Sequence, residues 1–169
     1  MQTGDITQTL TTLFSELVNG AARDGAFVLN SGDGGLLQSL DKLSAEDASR
    51  SVEQGATIAA HAQHLRFGLS LMNRWAVEGG DPFSDAKWDE AWKTSRVNDH
   101  EWTAIRLGLR DEAQRWLQAL GSPRQVSPLE LNGMAGSIAH LAYHLGAIRQ
   151  IAAAARGPRE GTFNKEVGS

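Results

Sequence analysis

A chain of 169 residues, 41% of them hydrophobic, is long and apolar enough to bury one core without covalent staples, and nothing in it calls for a second domain. It has no cysteine, which excludes a disulfide framework, a thiolate metal site and a cysteine nucleophile. The formal charge of −4, with acids and bases mixed along the chain, offers no basic stripe for a phosphate backbone, so nucleic acid is not an expected partner. No run approaches the ~20 apolar residues of a membrane span. Residues 1–20 lack the basic start and continuous apolar run of a signal peptide. The expected compartment is the cytoplasm, with no membrane partner.

The first helix is marked by Ile6, Leu10, Leu13, Phe14, Leu17 and Val18 at helical spacing, with Asp5 as its N-cap and Gly20 as its stop. Glycines 20, 25, 32, 34 and 35 then make a long irregular connection, within which Leu36, Leu37 and Leu40 add a helical turn. From Thr57 to Glu78 an apolar stripe of Ile58, Ala62, Leu65, Leu69, Met72 and Ala76 draws a second helix, ended by Gly79-Gly80-Asp81-Pro82. Residues 83–97 read as a loop with a helical turn capped by Ser84. Asn98 and Glu101 form a capping box for a third helix, carried by Ile105, Leu109, Ala113, Trp116 and Leu120 to Gly121. Ser127-Pro128-Leu129-Glu130 puts a cap, a first-turn proline and a capping-box acid in order for a fourth helix running to about Arg156, with Gly133 and Gly136 placed to break or bend its first turns. Four amphipathic helices without strand patterning predict an all-α four-helix bundle over residues 1–158, followed by a flexible polar tail at 159–169. The first connection is long enough to cross the bundle, so simple up-down order does not follow.

The chain has five histidines, at 61, 64, 100, 140 and 144. His140 and His144 stand four residues apart, which on a helix stacks both imidazoles on one face, roughly 5–6 Å apart at Cβ. That spacing is shared with the zinc-protease motif H-E-x-x-H, but the general-base position is Leu141 here, so the protease reading fails. What remains is a two-ligand half-site in need of a third ligand. On a helical wheel of about 100° per residue, His140 and His144 flank the apolar stripe of the fourth helix, and His64 holds the corresponding flank of the second. The local sequences His64-Leu65-Arg66-Phe67-Gly68-Leu69 and His140-Leu141-Ala142-Tyr143-His144-Leu145 run in parallel. His64 is thus the favoured third ligand, with Gly68 leaving room opposite His144. His61, nearer the middle of the stripe, stays open as an alternative ligand or as a hydrogen-bonding partner behind one. His100 reads as a solvated or locally bonded residue. Trp75 shares the flank of His64 and is placed to wall a pocket.

The stretch TIAAHAQHLRFGLSLMNRW, followed much later by SIAHLAYHLGAIRQI, resembles the DinB/YfiT-like superfamily of bacterial metal-binding four-helix bundles. Members place one histidine about seven residues after a Ser/Thr-Ile helix start and an H-x-x-x-H pair on the last long helix. Thr57 to His64 and the pair His140 and His144 fit that pattern, so the resemblance implies His64, His140 and His144 as ligands of one divalent ion, zinc or nickel. The sequence departs from many members in having Ala147 where they carry a glutamine three residues after the last histidine. Relatives in such families include transferases and isomerases dependent on a low-molecular-weight thiol, which the resemblance makes an expected co-substrate.

Three neutral imidazoles leave the 2+ charge of an ion uncompensated and coordination positions open, which is the chemistry of a catalytic site. The expected function is therefore metal-dependent hydrolysis or thiol transfer on a small molecule. Glu78, Asp81, Asp85 and Asp99 are acids near helix ends or loops, but no spacing ties any of them to the histidines as a general base. The rival from another class is a non-catalytic helical binding or stress-associated protein whose histidines are vestigial or structural. A homodimer is compatible with either, because Phe83, Trp88 and Trp92 read as exposed apolar groups.

Overall fold

Three of the long helices begin where a side chain takes up the N–H groups that a first turn leaves without partners. Thr57 Oγ1 accepts from the N–H of Ala60 at 3.2 Å. Asn98 with Glu101, and Ser127 with Glu130, close reciprocal capping boxes, and Pro128 occupies the first helical turn behind Ser127. In the computed structural model, which describes residues 3–122 and 124–159, these caps open α4 (Ile58–Glu78), α6 (Asp99–Gly121) and α7 (Pro128–Ile151). Preceding them are α1 (Thr3–Asn19), α2 (Gly35–Asp41) and α3 (Ala45–Ala48), and α5 (Trp88–Trp92) bridges α4 and α6. A 3₁₀ turn, Ala153–Ala155, follows α7. The fold is all-helical, without a strand among the described residues.

Each of α1 and α4 packs along both α6 and α7, so the two helices flanking the long connection lie across the molecule from one another. One core runs through all four, with Phe14, Leu65, Leu109, Trp116, Met134 and Leu141 fully enclosed. The connection that crosses between α1 and α4 is tied down by polar groups rather than by apolar pattern. The buried Glu16 carboxylate accepts from the backbone N–H groups of Phe27, Val28 and Leu29 at 2.7–3.1 Å. Gly20 and Gly35 meet back to back at positive φ, and a Cβ on Gly35 would stand 2.6 Å from the Gly20 nitrogen, so neither tolerates a side chain. Asp41 at the end of α2 receives Arg106 and Arg110 from α6. Trp102 donates its indole N–H to the Leu43 carbonyl at 2.8 Å.

The structure corrects several boundaries. Asp5 is inside α1, which already runs from Thr3, and is not its cap. Ser84 donates to the Asp81 carbonyl and caps no helix; α5 starts after Lys87. Gly133 and Gly136 leave α7 unbroken. That helix stops at Ile151 rather than near Arg156: Ala152 turns to extended backbone, the 3₁₀ turn follows, and Arg156 folds back to donate to the Arg149 carbonyl at 3.0 Å. The helix α3, with a capping box between Ser44 and Asp47, has no counterpart in the apolar periodicity. Of the expected tail, residues 160–169 lie outside the described residues. No described helix is long and apolar enough to cross a membrane.

Asp33, 3% exposed, holds the Arg149 guanidinium with two bonds of 2.8 and 2.6 Å and accepts from the Gly35 N–H. This pair joins the long connection to the last turn of α7. Asp33→Ala strands a largely buried guanidinium and is expected to cost about 3–5 kcal/mol, measured as the loss in urea-unfolding free energy. A loss below about 1 kcal/mol would place the pair among solvated ion pairs instead.

Candidate metal centre

Two histidines from α4 and two from α7 meet where these helices pack. His64 and His140 face each other through their Nε2 atoms at 3.1 Å, and His140 and His144 through theirs at 2.9 Å. One nitrogen from each of His64, His140 and His144 lies within 4.8 Å of the others. Among the described residues no carboxylate joins this group. His64 and His144 are buried and His140 is half-buried.

The nitrogens are not arranged to satisfy one another. A ring nitrogen has a single in-plane orbital, used either to donate or to accept. The His140 Nε2 faces two partners and can serve one. Three imidazoles so directed share a cation better than they share protons, and the group could hold a metal ion. Two nitrogens each about 2.1 Å from a tetrahedral ion stand about 3.4 Å apart, so the rings need open only by a few tenths of an ångström to take one between them.

His61 stands behind this group. Its Nδ1 lies 2.8 Å from the Nδ1 of His144. For His144 to present a lone pair at Nε2 its proton must sit on Nδ1, which then donates to His61, the usual way a ligand imidazole is oriented. His64 is held differently. Its Nδ1 is buried without a hydrogen-bond partner, and its ring is instead stacked on Trp92 at a centroid distance of 4.2 Å and 24° between planes. Trp88 covers it from 5.5 Å. Trp92 also meets His61 edge-on at 5.4 Å.

Burial disfavours the imidazolium at every one of these positions. The loss of hydration, reinforced by neighbouring histidines, lowers His64 to about 4 and His144 to about 3. Loss of hydration also lowers His61 and His140. All four rings are therefore neutral near pH 7, the state in which an imidazole ligates.

The sequence reading of the site needs two changes. Trp75 does not wall the histidines; its ring packs edge-on against Phe83 at 5.5 Å and over the bare backbone of Gly133. The walls are Trp88 and Trp92, and their spacing of four residues, the same as that of the α7 histidines, is the signal that would have placed both on one face of α5. Gly68 leaves room not opposite His144 but between Trp88 and His140, where a Cβ would stand 3.7 and 3.9 Å from their rings. His100 is exposed, as are Glu78, Asp81, Asp85 and Asp99. Comparison of the chain with family models, with curated proteins and with solved structures finds no match.

Two outcomes follow from this geometry. The unfolded chain binds protons at histidine near pH 6.5, the ordinary value, whereas the folded cluster resists them. The metal-free protein therefore keeps its full stability above that pH and loses it as the pH falls, already between pH 6.5 and about pH 5, above the carboxylate range. Urea-unfolding midpoints across that interval should fall for the wild type and fall less for His144→Leu; a flat wild-type profile would contradict the burial of neutral rings. Removing the stacking partner with Trp92→Ala leaves His64 unsupported and should weaken metal affinity about tenfold or more, as read by competition with a chromogenic chelator.

Proposed function

We propose that this chain is a metal-dependent enzyme on a four-helix bundle of the DinB-like type, its four members being α1, α4, α6 and α7. In this reading His64, His140 and His144 hold one divalent ion, zinc or nickel, and the protein carries out hydrolysis or thiol transfer on a small molecule. The observation that carries it is the convergence of three buried or half-buried, neutral imidazole nitrogens beside a hollow lined by apolar side chains. A structural zinc site is closed by four protein ligands; here, among the described residues, three converge and no acid accompanies them.

A divalent ion at this place would supply Lewis acidity and lower the pKa of a bound water or thiol toward neutrality. The protein's part is separable from that chemistry. His61 fixes the tautomer of His144, Trp92 fixes the plane of His64, and α5 keeps bulk water from the face of both rings. With no cysteine in the chain, any thiolate nucleophile comes from a co-substrate, consistent with a low-molecular-weight thiol.

Elemental analysis of untagged protein tests the assignment. The wild type is expected to carry about one equivalent of zinc or nickel, and His64→Ala and His144→Ala none, since two imidazoles do not retain the ion. His61→Ala should keep the metal at an affinity lowered about 10–100-fold. Unchanged metal content in His144→Ala, or no uptake by the wild type, would reject the site.

A further inference from the structure

The histidine cluster opens on one side to a hollow of about 260 Å³ between α4 and α7. Its side-chain walls include Leu65, Leu69, Met72, Phe83, Trp88 and Leu141, and His140 is the member of the cluster that reaches it. No charged side chain lines it. Besides the Trp88 indole, the other polar side chain there is Ser137, and its hydroxyl is already committed: it accepts from the Trp116 indole N–H at 2.9 Å and donates to the Met134 carbonyl at 2.7 Å. The hollow is thus apolar over most of its wall and carries no charge, with the imidazole of His140 at one end.

We propose that this hollow is the substrate subsite and that it takes an uncharged apolar group, an aryl ring or compact alkyl group, joined to a metal-binding head placed beside His140. The proposal rests on the metal reading above. Size and lining both argue for it. An apolar cavity of about 150 Å³ already accepts benzene, so this one holds a ring with a short linker. A carboxylate or ammonium buried here would lose its hydration with no partner to replace it. A second hollow of about 460 Å³ shares Met72, Phe83 and Gly133 with the first and reaches Asp81 and Asn132, so polar substituents are accommodated only at the far, outer end.

The glycines on the lining define the subsite. A Cβ on Gly68 would lie in the neck between Trp88 and His140, whereas one on Gly136 meets nothing within 4 Å. Gly136 is an exposed residue on the rim of the hollow, so a leucine there narrows its mouth without displacing a neighbour, and because leucine suits a helix better than glycine, Gly136→Leu is expected to fold.

The test uses the cobalt(II)-loaded protein titrated with acetohydroxamate, benzohydroxamate and 4-carboxybenzohydroxamate, followed through the visible spectrum of the metal. Benzohydroxamate should bind at least about tenfold more tightly than acetohydroxamate, and the added carboxylate should remove that gain. Gly136→Leu should abolish the preference for the aryl group while retaining cobalt and the affinity for acetohydroxamate. Equal affinities for the three probes on cobalt-loaded protein, or an aryl preference untouched by Gly136→Leu, would overturn the subsite and leave the metal site standing. Failure to take up cobalt would overturn the metal reading, and the subsite with it.

Discussion

The desolvation of imidazole nitrogens at the contact between α4 and α7 is the constraint around which the rest of this molecule is arranged. His61 and His64 leave one helix, His140 and His144 the other, and the rings interlock at nitrogen–nitrogen distances of 2.8–3.1 Å. Such contacts are costly for lone pairs and worse for imidazoliums. They are sustained because the helices beneath them are well anchored, and the rings so held could take a cation between them. A surface pair of histidines with the same sequence spacing would move apart; these are held by the apolar residues next to His64 and His140, Leu65 and Leu141, each nearly fully enclosed.

The anchoring comes largely from groups remote from the cluster. On α7, Trp116 grips Ser137 one turn before His140, and Asp33 grips Arg149 just over one turn after His144. The histidine-bearing stretch is thus clamped at both ends, by α6 on one side and by the long connection on the other. That gives the connection a function beyond joining α1 to α4: Glu16 organises its backbone and Asp33, at its end, fixes the last turn of α7. Its many glycines are tolerated because carboxylates, not side-chain packing, hold it in place.

What could be read from the sequence depended on the range of the interaction. The helices α4, α6 and α7 and their caps at Thr57, Asn98 and Ser127 were legible because capping and apolar periodicity are local. The pairing of His64 with His140 and His144 was legible from the wheel, since equal angular offsets on two packed helices bring side chains together. The role of His61 stayed open until the structure showed which nitrogen of His144 it meets. The end of α7 was misjudged because Ala152 leaves the helix inside a run of alanines that carries no stop signal, and Arg156 then folds back on a carbonyl seven residues earlier. The walls of the site were misassigned because Trp75, Trp88 and Trp92 are equivalent by type, and only the path of the loop after Gly79 decides that the last two lie over the histidines. The short α3 lacks the length to express a period at all, although its Ser44–Asp47 capping box was present to be read.

The composition of the cluster also limits its chemistry. A site that included a carboxylate would neutralise part of an ion's charge and stabilise protonated neighbours. Among the described residues this one has imidazoles only, neutral and packed against indole rings, and on the proposed reading it would leave the full charge of a divalent ion to act on a fourth ligand. An anionic ligand, hydroxide or thiolate, gains most from that arrangement because it alone brings compensating charge into a poorly hydrated place. The apolar hollow beside His140 contributes no charged side chain that would favour a charged tail. On the proposed reading, attraction for the reacting head and selection of the rest of the molecule would therefore be supplied by different residues, the one by histidines of α4 and α7, the other by the leucines, Met72 and aromatic rings around them.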